Sequence, residues 1–254
     1  MWEPEGGYKM LKTQDTKHLA IASLFLALTL VLGFTQVGFL PLPTPAGAAT
    51  IMHIPVILSG ILFGTGFGAL TGFAFGIITL IFFSHIAPFW VLIPARPLIG
   101  IVASLAYRSI YKYLSSNKKV KFIFSLLISI FIFCFVFLSG TYILTEWFSE
   151  KFITYPIEYS FLVSLIAFLI SLPLFIVLRE KEAEIAAMSI ASFLGSLTNT
   201  IGTLGLAALF GIYPVEVSIS TGIIQGVPEA ILAVIICPPV ALAIKNFLKK
   251  EERA

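Results

Sequence analysis

Charge is what this sequence lacks most. Only 11% of its 254 residues are Asp, Glu, Lys or Arg, while 58% are hydrophobic, and the mean hydropathy is +1.01. Soluble domains carry about 25% charged residues, and a soluble fold has too little interior to hide this much apolar surface. A soluble enzyme, a nucleic-acid-binding domain and a disordered chain are excluded together, which leaves an integral membrane protein. Cysteine is nearly absent too. Cys134 and Cys237 are the two present, each inside an apolar run, where a small apolar side chain in a helix is the plain reading and a disulfide or metal role is not indicated. No G-x-x-x-x-G-K-[ST] nucleotide loop, H-E-x-x-H zinc motif or G-x-S-x-G nucleophile elbow occurs. Hence no catalytic residue is assigned, no cofactor or metal is expected, and any ATP hydrolysis has to come from another chain.

What is present is a series of long apolar runs. A spanning helix needs about 20 mostly apolar residues. Residues 18–37, 91–113, 122–145, 157–178, 184–211 and 219–245 meet this or nearly so. Segment 51–86 is too long for one span and is punctuated at Gly64-Thr65-Gly66, so it reads as two short helices, 51–64 and 67–86, around a tight turn. Eight helices result. No regular polar–apolar alternation indicates strands, and the fold class is an all-α integral membrane protein forming a single membrane domain over 1–254. Residues 19–34 follow Lys12 and Lys17, and Ala46-Gly47-Ala48 has the small residues of a cleavage site. The run is nevertheless long for a signal peptide and the site lies well beyond it, so a retained first helix is expected.

The Lys and Arg residues fall in alternate connections: Lys9, Lys12 and Lys17; Arg108, Lys112, Lys118, Lys119 and Lys121; Arg179 and Lys181; then Lys245, Lys249, Lys250 and Arg253. Loops 38–50, 87–90 and 212–218 have none, and 146–156 has Lys151 beside Glu146 and Glu150. By the positive-inside rule this pattern gives an even number of spans with both termini cytoplasmic.

Several polar residues at membrane depth call for an explanation, since an ionisable group at mid-helix costs roughly 2.5–3.5 kcal/mol on insertion scales. Glu229 lies roughly 15 Å into the last helix from its outer end at 1.5 Å per residue. Gln225 is one turn earlier on the same face, and Pro228 between them loosens the backbone. The readings for Glu229 are a protonated or bonded structural group, or a ligand or proton role. Ser192, Ser196, Asn199 and Thr203 form one polar stripe, within which Asn199 offers both donors and acceptors. Arg96 either snorkels to the headgroups or points inward as an anion clamp. His53, ahead of Pro55, is equally a capping or interfacial group and a ligand contact, and His85 reads as interfacial beside Trp90. By depth His53, Arg96, Asn199, Gln225 and Glu229 fall in the outer half or near the midplane, below a proline-stiffened loop, 38–50, long enough to cover them. An outward-facing binding pocket is the expectation. Gly60, Gly64, Gly68, Gly72 and Gly76 recur every four residues and so read as close helix packing, with a docking face for another protein as the alternative. Ser23 and Ala27 make a shorter pair of the same kind.

Thr50-Ile51-Met52-His53-Ile54-Pro55-Val56-Ile57 and the glycines after it, Arg96-Pro97-Leu98-Ile99-Gly100, Gly195-Ser196-Leu197-Thr198-Asn199-Thr200 and Gly226-Val227-Pro228-Glu229-Ala230, in that order, resemble the substrate-binding S components of energy-coupling factor (ECF) transporters. The branch holding pantothenate, hydroxymethylpyrimidine and cobalamin binders is the nearest in pattern. The likeness covers about 18–114 and 184–245. It implies a six-helix S-component-like bundle in which 122–178 is an inserted pair of transmembrane helices, giving eight spans in all. It further implies capture of a small water-soluble vitamin or precursor, pantothenate-like if Arg96 clamps a carboxylate, from outside a prokaryotic plasma membrane. The partners implied are a membrane T component, contacted through Ser23 and Ala27, two cytosolic ATPase subunits and the lipid bilayer, with no nucleic acid. The Met52-His53-Ile54-Pro55 string is similar to the amino-terminal metal site of nickel and cobalt S components, but here it is internal, so metal transport is not expected. The competing readings are a proton-coupled secondary transporter relaying through Glu229, an intramembrane enzyme, and a scaffold that transports nothing.

Overall fold

A computed structural model describes residues 13–42, 44–116, 118–147, 156–180 and 183–251. Lys9, Lys12, Glu150, Lys151, Lys181 and Arg253, which belong to the charge pattern, lie outside the described residues. Each of the eight apolar segments becomes a helix. The order is α1 (Thr13–Phe34), β1 (Phe39–Pro41), β2 (Ala48–Thr50), α2 (His53–Phe63), α3 (Thr65–Phe83), a single turn α4 (Phe89–Leu92), α5 (Ala95–Ser116), α6 (Lys118–Trp147), α7 (Pro156–Glu180), α8 (Ala183–Leu209) and α9 (Val215–Glu251). Among the described residues, four helical stretches are long and apolar enough to cross a membrane: Thr65–Phe83, Phe89–Ser115, Ala183–Leu209 and Val215–Lys250. Leu19–Phe34, His53–Phe63, Ser129–Tyr142 and Tyr159–Leu172 are shorter apolar stretches.

The outer surface is apolar, and the interior holds hydroxyl groups among its apolar side chains. Leu24, Val31, Phe73, Phe161, Leu169, Ile201 and Ile235 face outward, while Ser59, Thr71, Ser104, Ser192 and Ser196 are buried. Outward apolar side chains suit hydrocarbon, and inward hydroxyls need internal acceptors. Thr71 donates to Ser59 Oγ (3.1 Å) or the Phe67 carbonyl (2.9 Å), and Ser192 donates to the Met188 carbonyl (2.7 Å). The main core joins α1, α2, α3, α5, α8 and α9 through Phe25, Ile57, Phe75, Ile99, Met188 and Ala233.

The glycine stripe packs inside the bundle. A Cβ on Gly68 would stand 2.8 Å from Gly60 Cα and 2.9 Å from Gly100 Cα, and one on Gly72 would strike the Arg96 carbonyl. The backbones of α2, α3 and α5 therefore touch without side chains between them. Gly64 has a different job: its φ of 95° ends α2 and turns the chain into α3, a conformation open to glycine.

One expectation needs correction. Loop 38–50 contains an antiparallel hairpin, with Phe39 paired to Thr50, Leu40 to Ala49 and Pro41 to Ala48. Three-residue strands are too short to show alternation, and Pro41 and Pro45 disguise them further. Leu42 N–H donates to the Gly47 carbonyl (3.1 Å), and Gly47 takes a φ of 78° to close the turn. A lone two-stranded ribbon is marginal by itself, so its anchorage to the helices matters.

Helices α6 and α7 pack on each other around Ile132, Val136 and Ala167, a cluster separate from the main core. An apolar cavity of about 410 Å³ lies where they meet α8 and α9, with Phe135, Leu169, Phe193 and Val234 in its wall. At the end of the bundle away from the hairpin, Lys245 Nζ lies 2.6 Å from Glu184 Oε1, and Tyr107 OH donates to the same oxygen (3.2 Å). This cluster ties the far ends of α5, α8 and α9 together.

Candidate ligand-binding site

Four of the polar residues singled out by depth line one cavity beneath the hairpin: Arg96, Asn199, Gln225 and Glu229. Arg96 comes from the first turn of α5, where Pro97 fits because an N–H there has no intrahelical acceptor. Asn199 comes from α8, and Gln225 and Glu229 from the N-terminal half of α9. These helices approach closely at the site because small residues face each other. Gly226 sits against Thr200, where a Cβ would lie 2.7 Å from its Cγ2, and Gly202 sits against Ala95 in the same way at 2.8 Å. Despite Pro228, Pro238 and Pro239, α9 stays one helix.

Asn199 is the hub. Arg96 Nη1 donates to Asn199 Oδ1 and also to Thr203 Oγ1 (2.6 Å). Asn199 Nδ2 donates to Glu229 Oε2 (3.3 Å), and the other Glu229 oxygen accepts the Thr50 N–H (2.6 Å). The Arg96 guanidinium lies over the Phe75 ring at 4.6 Å, which gives the cation an apolar support. Arg96, Asn199, Gln225 and Glu229 are all buried. Arg96 points inward and does not snorkel.

The hairpin is bonded to this network from above. Besides Thr50, Thr44 Oγ1 accepts from Gln225 Nε2, and Tyr213 OH donates to the Pro45 carbonyl (2.9 Å). The cavity volume is about 90 Å³, whereas ligand pockets run from about 300 Å³ upward. A molecule of ordinary ligand size would fit only with the hairpin displaced and some of these bonds broken. Tyr213→Phe removes one anchor without changing the ring. Amide exchange at Thr50 and Ile51 is then expected to speed up by about 2- to 10-fold, the equivalent of one net hydrogen bond. Unchanged exchange would mean that Tyr213 does not hold the hairpin.

His53 is placed differently from the other four. It is fully buried in the first turn of α2, with Nε2 3.4 Å from Ser196 Oγ, and it stands behind the cavity wall. Its contact with α8 makes it a support for the segment that carries Asn199. His85 is exposed and stacks on Phe83 at 6.4 Å. Ser23 and Ala27 lie on the exposed side of α1, with the Ser23 hydroxyl donating to the Leu19 carbonyl (2.8 Å). Sequence reasoning passed over Thr44, Thr50, Phe75, Thr200 and Tyr213. Thr50 opens the family-like string quoted above, but nothing in its spacing marks its N–H as the partner of Glu229.

A cavity with apolar walls and a few convergent polar side chains, under a short hairpin in a bundle of apolar helices, fits a multi-pass membrane protein with a small-molecule site. The family model for the ECF transporter substrate-specific component matches residues 17–178, more than half the chain. The chain belongs to that family, whose members are substrate-binding transporter subunits and not enzymes. The matched stretch includes Arg96 and the α6–α7 pair and ends before α8 and α9. No curated protein matches the chain.

Proposed function

We propose that this chain is the high-affinity binding subunit of an ECF-type importer in a prokaryotic plasma membrane. It captures a small water-soluble vitamin or precursor from outside, with pantothenate-like compounds foremost, and partner chains supply the ATP-driven step. The convergence of Arg96, Asn199, Gln225 and Glu229 from three helices into one covered cavity is the observation that supports this reading. A scaffold would have no use for buried charge at this depth. The exposed Ser23–Ala27 side of α1 is the docking surface for the T component, and two ATPase subunits act from the cytosolic side. Eight spans, cytoplasmic termini and an S-component core of 18–114 and 184–245 complete the reading, with 122–178 as an added pair.

Native mass spectrometry of the protein purified from its host's membranes, after growth with a broad vitamin mixture, tests this directly. The expected result is a bound molecule of vitamin mass, with or without T and ATPase chains. A bare chain, together with uptake that follows a pH gradient in vesicles lacking ATPases, would replace the proposal with proton-coupled transport. Given a bound cargo, Asn199→Ala and Glu229→Ala are each expected to weaken its binding at least tenfold, roughly one charge-assisted hydrogen bond, while the chromatographic profile stays that of a folded chain. Unchanged affinity removes that residue from the site.

A further inference from the structure

Provided that the cavity is the ligand site of a binding subunit, as proposed, its unfilled bonding capacity narrows the ligand further. Of the Arg96 guanidinium nitrogens, Nη1 is the one committed, to Asn199 and Thr203. Nε is buried without a hydrogen-bond partner among the described residues, and the side chain belongs to the cavity wall. A buried donor left without an acceptor costs about 1–3 kcal/mol, more when charged. The Phe75 ring covers one face of the guanidinium, so a partner arrives in its plane, along the Nε–Nη2 edge. That edge presents two parallel N–H groups at the spacing of two carboxylate oxygens.

The opposite charge in the cavity sets a second condition. Asn199 bonds to both Arg96 and Glu229, and the two do not meet as an ion pair. The cavity wall carries one buried cation, Arg96, and so pairs at most one negative charge of a ligand. A second would be desolvated next to Glu229 without a cation of its own. We infer that the ligand is a monocarboxylate whose carboxylate docks edge-on against Nε and Nη2 of Arg96, and that this group decides which compounds are accepted. Neutral pyrimidines, cobalamin, phosphate esters and dicarboxylates are thereby disfavoured.

The test uses the full chain in lipid nanodiscs and matched pairs of probes differing only at the acid: pantothenate with pantothenol, biotin with biotinamide, nicotinate with nicotinamide. Thiamine, hydroxymethylpyrimidine, cobalamin and riboflavin serve as the non-carboxylate set. Thermal shift finds binders and calorimetry gives their affinities. The expected result is that one acid binds at least about 100-fold more tightly than its neutral partner, because a buried polar group left unmatched discriminates strongly. Arg96→Lys, which keeps the charge and loses the fork, should reduce that ratio at least tenfold while the chromatographic profile stays that of a folded chain. Equal binding of acid and neutral partner, or binding only within the non-carboxylate set, would overturn the inference and leave the binding-subunit reading standing. Binding of no compound, with no co-purifying small molecule, would overturn both.

Discussion

Gly100→Ala is expected to leave almost no folded chain in the membrane, although it adds a single methyl group. The added Cβ would stand 2.5 Å from Gly68 Cα and would overlap the Gly68 carbonyl. Overpacking in a core usually costs about 1–3 kcal/mol, because side chains can shift to relieve it. Here backbone meets backbone, no rotamer can yield, and α3 and α5 would have to separate along their length. A loss above about 3 kcal/mol follows from that. Parting these helices also moves Arg96, since Gly72 packs on the Arg96 carbonyl one turn further along. Fluorescence-detected size-exclusion of a tagged chain reads the outcome. Gly66→Ala and Gly205→Ala are the matched controls: both glycines are helical with nothing within 4 Å of an added Cβ. In helical backbone the extra methyl there should be neutral or stabilising by up to about 1 kcal/mol. A wild-type profile for Gly100→Ala would mean that the close crossing is not what holds the bundle together.

The helices were legible because hydrophobic run length is a local property, and in a membrane it carries most of the fold. Even the break at Gly64 could be read, since a turn between apolar runs needs a residue free to adopt positive φ. Four of the five proposed pocket residues were legible for a related reason: a polar group at membrane depth is expensive enough to need a use. That logic does not separate a wall residue from one behind the wall, so His53, paired with Ser196 and enclosed in the core, looked the same as its neighbours. The hairpin was not legible. Its pairing depends on contacts across a turn, and its anchorage depends on Thr44 and Thr50 meeting α9 and on Pro45 meeting Tyr213, the Thr50–Glu229 bond joining residues 179 apart. No periodicity encodes that. The glycine stripe was half legible, because spacing shows that close packing occurs but does not say that the partner is the start of α5.

Asn199→Asp is expected to abolish carboxylate binding more completely than Asn199→Ala does, even though Asp keeps the shape of Asn and Ala does not. Asn199 uses both ends of its amide, accepting from Arg96 through Oδ1 and donating to Glu229 through Nδ2 at 3.3 Å. Asp keeps the acceptor and loses the donor. Its charge would turn the contact with Arg96 into a charge-assisted bond and offset the positive charge that a ligand carboxylate needs. It would also place a second carboxyl group at hydrogen-bond distance from Glu229, so an incoming anion would meet an added negative charge beside a cation already neutralised. The expected loss is at least about 100-fold, close to 2.7 kcal/mol. Ala removes one set of bonds but leaves the Arg96 charge unopposed at that position and still bonded to Thr203, and its expected loss is nearer tenfold. The order of the two variants is the informative result. A residue that merely fills space would suffer more from truncation to Ala than from an isosteric replacement, giving the reverse order. Calorimetry of both variants with the acid that the wild type binds, alongside matched chromatographic profiles, decides between the two. Should Asp bind as well as wild type, Asn199 would not be the hub between the two buried charges.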